Sequence, residues 1–256
     1  MEISYYYVNP TGNITLLADT PVEKPFRSLV ARKLMELEPS AEQVGFVSGT
    51  RLEMAGGEFC GNACISAAAV YCSEKKADRF EGGLRVSGAD RPVYVKAEKK
   101  NGIYEGSVRM PEAMDISEAE VTVSGEKRKL PMIVFPGISH LIIESETDKK
   151  EVESLMPALC RSLDCEALGA MFLDEKSKRI TPLVYVPDPE TSVWESSCAS
   201  GTTAVGIYLG SRCGGAFKAD FAEPGGILGI EVSPDAPPVL RAKAEIKYRK
   251  TVKITY

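Results

Sequence analysis

The chain has 256 residues, 44% hydrophobic and 26% charged, enough for one large domain or two of ordinary size. A formal charge of −5, with Lys and Arg scattered apart from small clusters such as Lys127-Arg128-Lys129, argues against a nucleic-acid or membrane partner. No apolar run approaches a membrane span and Met1–Tyr5 lacks a basic-then-apolar signal pattern, so a cytoplasmic protein is expected.

Residues 3–8 are β-rich, and Asn9-Pro10-Thr11-Gly12-Asn13 has turn chemistry. Phe26, Leu29, Val30, Leu34 and Met35 recur at helical spacing and predict a helix over residues 25–38. Residues 44–47 read as a short strand and Met54-Ala55-Gly56-Gly57 as a loop. From Cys60 to Tyr71 the side chains are small (Ala63, Ser66, Ala67, Ala68, Ala69), which predicts a buried helix that neighbours approach closely on all sides. Residues 84–87, 93–98 and 104–110 are strand-like.

After about Pro111 the pattern restarts. Strands are predicted over residues 131–135 and 140–144, a helix over 149–163, and strands over 171–174 and 183–186. A second small-residue helix runs from about Ala199 to Leu209, and strands follow at 228–232, 240–248 and 251–255. This is an internal repeat. Cys60-Gly61-Asn62-Ala63 opens one helix and Cys198-Ala199-Ser200-Gly201 the other; Gly82-Gly83-Leu84 follows the first and Gly225-Gly226-Ile227 the second. The expected layout is α+β, with two pseudo-symmetric half-domains facing each other across a cleft. Residues 1–115 form the first half, with strand 249–256 free to join it, and residues 116–248 form the second.

Seven cysteines, an odd number, argue against a disulfide framework, and the close pairs Cys60/Cys64 and Cys160/Cys165 lack zinc-site spacing. No metal, pyridoxal phosphate or nucleotide is expected. A thiol at a helix N-terminus faces unpaired backbone N–H groups and the positive end of the macrodipole, which lowers its pKa and favours an anionic ligand beside it. Racemisation needs a base on one face of Cα and an acid on the other. Two related halves, each bringing a helix-start cysteine to one cleft, would supply that pair, with Cys60 and Cys198 exchanging roles with the direction of reaction.

Glu58-Phe59-Cys60-Gly61-Asn62-Ala63 and Glu195-Ser196-Ser197-Cys198-Ala199-Ser200-Gly201-Thr202 resemble the two catalytic motifs of the diaminopimelate epimerase family. Gly12-Asn13, Glu42-Gln43, Gly137-Ile138-Ser139-His140 and Gly225–Glu231 are similar to further family segments, in order along nearly the whole chain. The resemblance implies a curved mixed sheet around a central helix in each half, with the last strand returning to the first half. It implies that Cys60 and Cys198 are the acid–base pair, and that Gly61, Asn62, Ala199, Ser200 and Gly201 hold the substrate carboxylate. Asn13, Gln43 and Glu195 would be polar contacts.

The departures bear on the substrate. Where the family grips a second amino-acid head with asparagines and an arginine, this chain has Met54, Ile138, Gly169 and Ser196. A charged head left without partners costs several kcal/mol, so a free amino acid with one head group is expected. The short Ser196-Ser197 linker is similar to that of histidine racemase-type members, which makes histidine the leading substrate. The alternatives are diaminopimelate epimerase itself, a non-catalytic relative, or a phenazine-type isomerase without cysteine chemistry. Cys64, Cys72, Cys160, Cys165, Cys213, His140 and Trp194 are expected to be structural, and a homodimer is left open.

Overall fold

In the computed structural model, which describes residues 1–188 and 190–255, the chain divides into two compact units. One comprises Met1–Arg109 with Leu240–Tyr256, the other Met110–Val239.

The first unit is a closed barrel. Strands β1 (Glu2–Pro10), β2 (Thr15–Ala18), β3 (Gln43–Ser48), β4 (Arg51–Met54), β5 (Arg79–Val86), β6 (Val93–Lys100) and β7 (Ile103–Arg109) hydrogen-bond in that order, and β7 joins β16 (Ala236–Lys253). β16 pairs back antiparallel to β1, from Glu2 opposite Lys253 to Pro10 opposite Ala244. Closure leaves no unpaired sheet edge. Helix α2 (Gly61–Lys75) packs on β1, β2 and β4 through β7, and is buried on every side from Gly61 to Val70. It has no polar face because it has no solvent face, the expected pattern of a fully enclosed helix. Small side chains permit the close approach: a Cβ added at Gly106 of β7 would fall 2.4 Å from Ile65 Cγ2. Lys76 takes a left-handed conformation (φ 51°) and stops the helix. Helix α1 (Lys24–Leu37) carries Pro25 in its first turn, where proline is tolerated. It buries Val30, Ala31 and Leu34 among Ile3, Tyr5, Leu16, Val44 and Phe46.

The second unit orders its strands β15 (Gly226–Ser233), β14 (Phe217–Glu223), β12 (Arg179–Val186), β11 (Leu168–Asp174), β10 (Ile138–Glu144), β9 (Glu126–Phe135) and β8 (Asp115–Val123). β13 (Thr191–Trp194) lies against β12. β10 and β11 are parallel and are joined through helix α3 (Lys149–Ser162), the crossover a parallel pair requires. Asp148 caps α3 by accepting the Lys150 and Glu151 N–H groups. Alternation along β10 separates two environments. Leu141 and Ile143 pack with Val152, Met156 and Cys160 of α3. On the other side, helix α4 (Ala199–Ser211) packs on β9, β10, β11, β14 and β15.

The four helices lie within a few residues of the predicted spans. Strands β4, β8, β13 and β14 were not predicted, and the two strands expected over 240–248 and 251–255 are one, β16. β8 and β14 alternate correctly but carry small or charged residues (Ala119, Ala219, Glu223) at buried positions, so the apolar signal is weak. Met54, expected in a loop, ends β4 and is buried. Trp194 is 37% exposed and Cys213 is exposed, so neither is a core residue. Cys64, Cys72 and Cys160 are buried, and all seven cysteines are free. Among the described residues, no helix is long and apolar enough to cross a membrane.

Candidate active site

In the first unit, Cys60 is the N-cap of α2, with extended backbone (φ −134°, ψ 115°), and its Sγ accepts the Ala63 N–H at 3.4 Å. The segment before it is tied down by the turn after β5. Ser87 Oγ donates to Glu58 O (2.8 Å) and accepts the Met54 N–H (2.9 Å). Gly88 follows with φ 69°, and a Cβ there would fall 2.3 Å from the Phe59 nitrogen. Only glycine meets both conditions. Ser87 and Gly88 therefore set where α2 begins, a role with no motif signal in the sequence. Gly61 and Asn62 start the helix and are buried. Asn13 and Gln43 are brought together: Gln43 Nε2 donates to Asn13 Oδ1 (2.6 Å) and to Thr15 Oγ1 (2.8 Å), while Asn13 Nδ2 donates to Glu42 Oε2 (2.9 Å). Arg51, which is exposed, pairs with Glu53.

In the second unit, Cys198 is the N-cap of α4 with nearly the same backbone (φ −123°, ψ 106°). Its thiol is 3.6 Å from Ser200 Oγ, and Ser200 Oγ is 2.9 Å from His140 Nε2. His140 is fully buried, and burial holds it neutral, with its pKa pushed down to about 3. It stands opposite Gly169 on β11, where an added Cβ would lie 2.1 Å from Nδ1. A Cβ at Gly201 would fall 2.1 Å from Met171 Sδ and 3.2 Å from Cys198 Sγ, so α4 starts in tight quarters. Ala199 is buried beside them.

Two carboxyl groups complete this end of α4. Glu195, in the segment joining β13 to α4, lies beside the Cys198 thiol and hydrogen-bonds it. Glu223, at the end of β14 and 7% exposed, accepts the Cys198 N–H at 2.7 Å. Thr202 Oγ1 donates to Cys198 O at 2.9 Å and is hydrogen-bonded to Glu223 Oε1. Burial pushes the Glu223 carboxyl up to about 8, outweighing its hydrogen bonds to Thr202 and the Cys198 amide; the nearby Glu195 charge adds to the rise.

These surroundings correct one expectation. A helix start alone would lower a thiol pKa. Burial, reinforced by Glu195 and Glu223, instead holds the Cys198 thiol well above its usual range, with only Ser200 opposing. Desolvation of the charged form outweighs the helix terminus. These surroundings favour the protonated thiol at Cys198.

Sequence reasoning missed Glu223, Thr202 and the part His140 plays beside Ser200. The signal for Glu223 lay in its alternation with the buried Ala219 and Phe221, visible only once β14 is recognised as a strand. Of the four positions that bear on a second head group, Met54 and Gly169 are buried and Ile138 and Ser196 are half-buried.

Residues 2–254 match the family model described as the histidine racemase CntK N-terminal domain. The chain is 33% identical over 217 residues to a histidine racemase of Fusobacterium nucleatum, covering 81% of each chain. It is 29% identical over 243 residues to the histidine racemase of Staphylococcus aureus, covering 89% of this chain and 87% of that one. In fold it is similar to the solved structure of a predicted epimerase from Pseudomonas aeruginosa, with TM-score 0.72 at 12% identity, covering 99% of this chain and 100% of that one.

Proposed function

The chain belongs to the histidine racemase family, and on that premise we propose that it inverts the α-carbon of free histidine, with Cys60 and Cys198 as the acid–base pair and no cofactor. The observation that carries the reading is the equivalence of the two cysteines. Each is the N-cap of a buried small-residue helix, in the same extended conformation, one per unit.

In this reading one cysteine removes the α-proton from one face and the other returns a proton to the opposite face. Cys198, held as a thiol, is the acid in the resting enzyme, and Cys60 is the base. The next turnover in the reverse sense begins with the protons exchanged. Gly61, Asn62, Ala199, Ser200 and Gly201 hold the substrate carboxylate with helix-start N–H groups, where developing negative charge is stabilised best. The Cys198 N–H is already committed to Glu223, so on α4 the following amides do this. Asn13, Gln43 and Glu195 are polar contacts of the amino acid.

The residues at the four positions that would hold a second head group favour a substrate with one. Met54, Ile138, Gly169 and Ser196 supply no amide side chain and no guanidinium. At Gly169 none fits, because His140 occupies the space. A site without those partners discriminates strongly against diaminopimelate.

The test is a panel of L-amino acids and LL-diaminopimelate under reducing conditions in deuterium oxide, scored for Cα–H exchange and for the D-isomer. The expected result is the highest kcat/KM for histidine, with no added cofactor. Diaminopimelate as the best substrate would overturn the substrate assignment. Exchange with none of the panel would overturn racemisation of a free amino acid.

A further inference from the structure

We propose that Glu223 is a neutral carboxylic acid that closes a ring of hydrogen bonds around the Cys198 peptide and so acts as a positioning residue for that cysteine. The argument is a count of protons. Thr202 has one hydroxyl proton and two oxygens within reach, Cys198 O at 2.9 Å and Glu223 Oε1. It donates to only one of them. Beside a carboxylate, one buried oxygen–oxygen contact has no proton. With the proton on Glu223 Oε1, every link closes. Glu223 donates to Thr202 Oγ1, Thr202 donates to Cys198 O, and the Cys198 N–H donates to Glu223 Oε2. Both peptide groups of the cysteine then meet one side-chain pair, the carbonyl in addition to the Thr202 backbone N–H it already accepts.

The surroundings agree. Glu223 and Thr202 are buried, and burial together with the Glu195 charge favours the protonated form of Glu223. The titratable groups that face it are Glu195, before α4, and the Cys198 thiol at its start. A negative Glu223 would be repelled by Glu195 and would oppose thiolate formation at Cys198. Neutral, it orders the peptide without that penalty. When it loses its proton, the Thr202 hydroxyl turns to the carboxylate, and Cys198 O keeps only the Thr202 backbone N–H it accepts at 2.9 Å. The consequence is a loss of Cys198 function on the alkaline side.

The ring stands on geometry. Only its kinetic consequence rests on the reading of Cys198 as an acid–base group, and the two are tested separately. The first measurement is the infrared difference spectrum between wild type and Glu223→Gln. A protonated-carboxyl band at neutral pH, present in wild type and titrating near pH 8, is expected; its absence at neutral pH overturns the proposal. The second compares Glu223→Leu, which removes both links, with Glu223→Gln, whose amide oxygen accepts the Cys198 N–H and whose NH₂ donates to Thr202. Leu should lower kcat by about tenfold or more with a smaller change in KM, and Gln should restore it to within about twofold and abolish the alkaline inflection near pH 8. Gln as impaired as Leu overturns the proposal. If the Leu variant does not fold, mass-mapped alkylation of Cys198 against pH decides. An inflection near pH 8 in wild type but not in Gln is expected, and its persistence in Gln overturns the proposal.

Discussion

The imidazole Nε2 of His140 lies 2.9 Å from the hydroxyl of Ser200, which in turn lies 3.6 Å from the Cys198 sulfur. The ring that begins this chain of contacts is fully buried and neutral, with its pKa lowered from 6.5 to about 3 by burial. The unfolded chain therefore binds a proton at His140 below pH 6.5 that the folded chain refuses. The stability this residue gives is present above that pH and is lost as pH falls toward 3.

Between pH 7 and pH 5 the loss is about 2 kcal/mol. Glu223 pulls the other way over the same window. Its carboxyl titrates near 8 when folded and near 4.5 when unfolded, so it adds stability as pH falls. The wild-type slope therefore mixes both groups, and the reading is the difference between wild type and His140→Gln in urea unfolding. The deficit of the variant should shrink by about 2 kcal/mol from pH 7 to pH 5. A deficit that does not change with pH would mean that His140 is charged in the native protein.

Gly169→Ala should destabilise the second unit by about 1–3 kcal/mol, because the new methyl falls where His140 Nδ1 stands, 2.1 Å away. The ring must swing and leave Ser200. In a His140→Ala background the same substitution should cost much less, since the obstacle is gone. Additive costs in the double mutant would show that the strain lies elsewhere. Racemisation should fall in Gly169→Ala as well, read as kcat at saturating histidine.

Cys60→Ala and Cys198→Ala should each lower D/L interconversion by about 10³-fold or more, the scale of losing a positioned acid or base. Each should keep its circular dichroism and melting temperature within a few degrees. Isotope exchange offers a finer check: the variant that lacks the acid should still exchange a proton on the face that the remaining cysteine serves. Interconversion at the wild-type rate in either variant would refute the pair.

Glu38 should matter for the barrel rather than for catalysis. Its carboxylate accepts from Tyr5 Oη (2.6 Å), Tyr248 Oη (3.0 Å) and Lys250 Nζ (3.4 Å), so one side chain at the end of α1 ties both β1 and β16. Tyr5 is fully buried, and its hydroxyl has no solvent to turn to. Glu38→Ala should cost about 1–3 kcal/mol in urea unfolding, and Glu38→Gln should recover most of it through the amide oxygen. An Ala variant as stable as wild type would mean that β1 and β16 hold without this tie.

Much of the local structure was legible in the chain itself. Helical periodicity and runs of small residues marked all four helices, and the two cysteines fell where two of them begin, because capping, side-chain volume and periodicity are local properties. Strands β4, β8, β13 and β14 were not legible: β4 is only four residues long, β13 is exposed throughout, and β8 and β14 put Ala and, in β14, a carboxyl group on their buried faces. The pairing of Glu2 with Lys253 across the length of the chain depends on barrel closure, which no short window encodes. The same holds for the chemistry around Cys198. The sequence by itself determined that a thiol stands at the start of a helix, where thiols ordinarily become acidic. Only the tertiary structure decided that this thiol is buried between Glu195 and Glu223, so its proton is held. A pKa is set by the dielectric and charge of everything within a few ångströms, and here one neighbour comes from the segment before α4 and the other from β14.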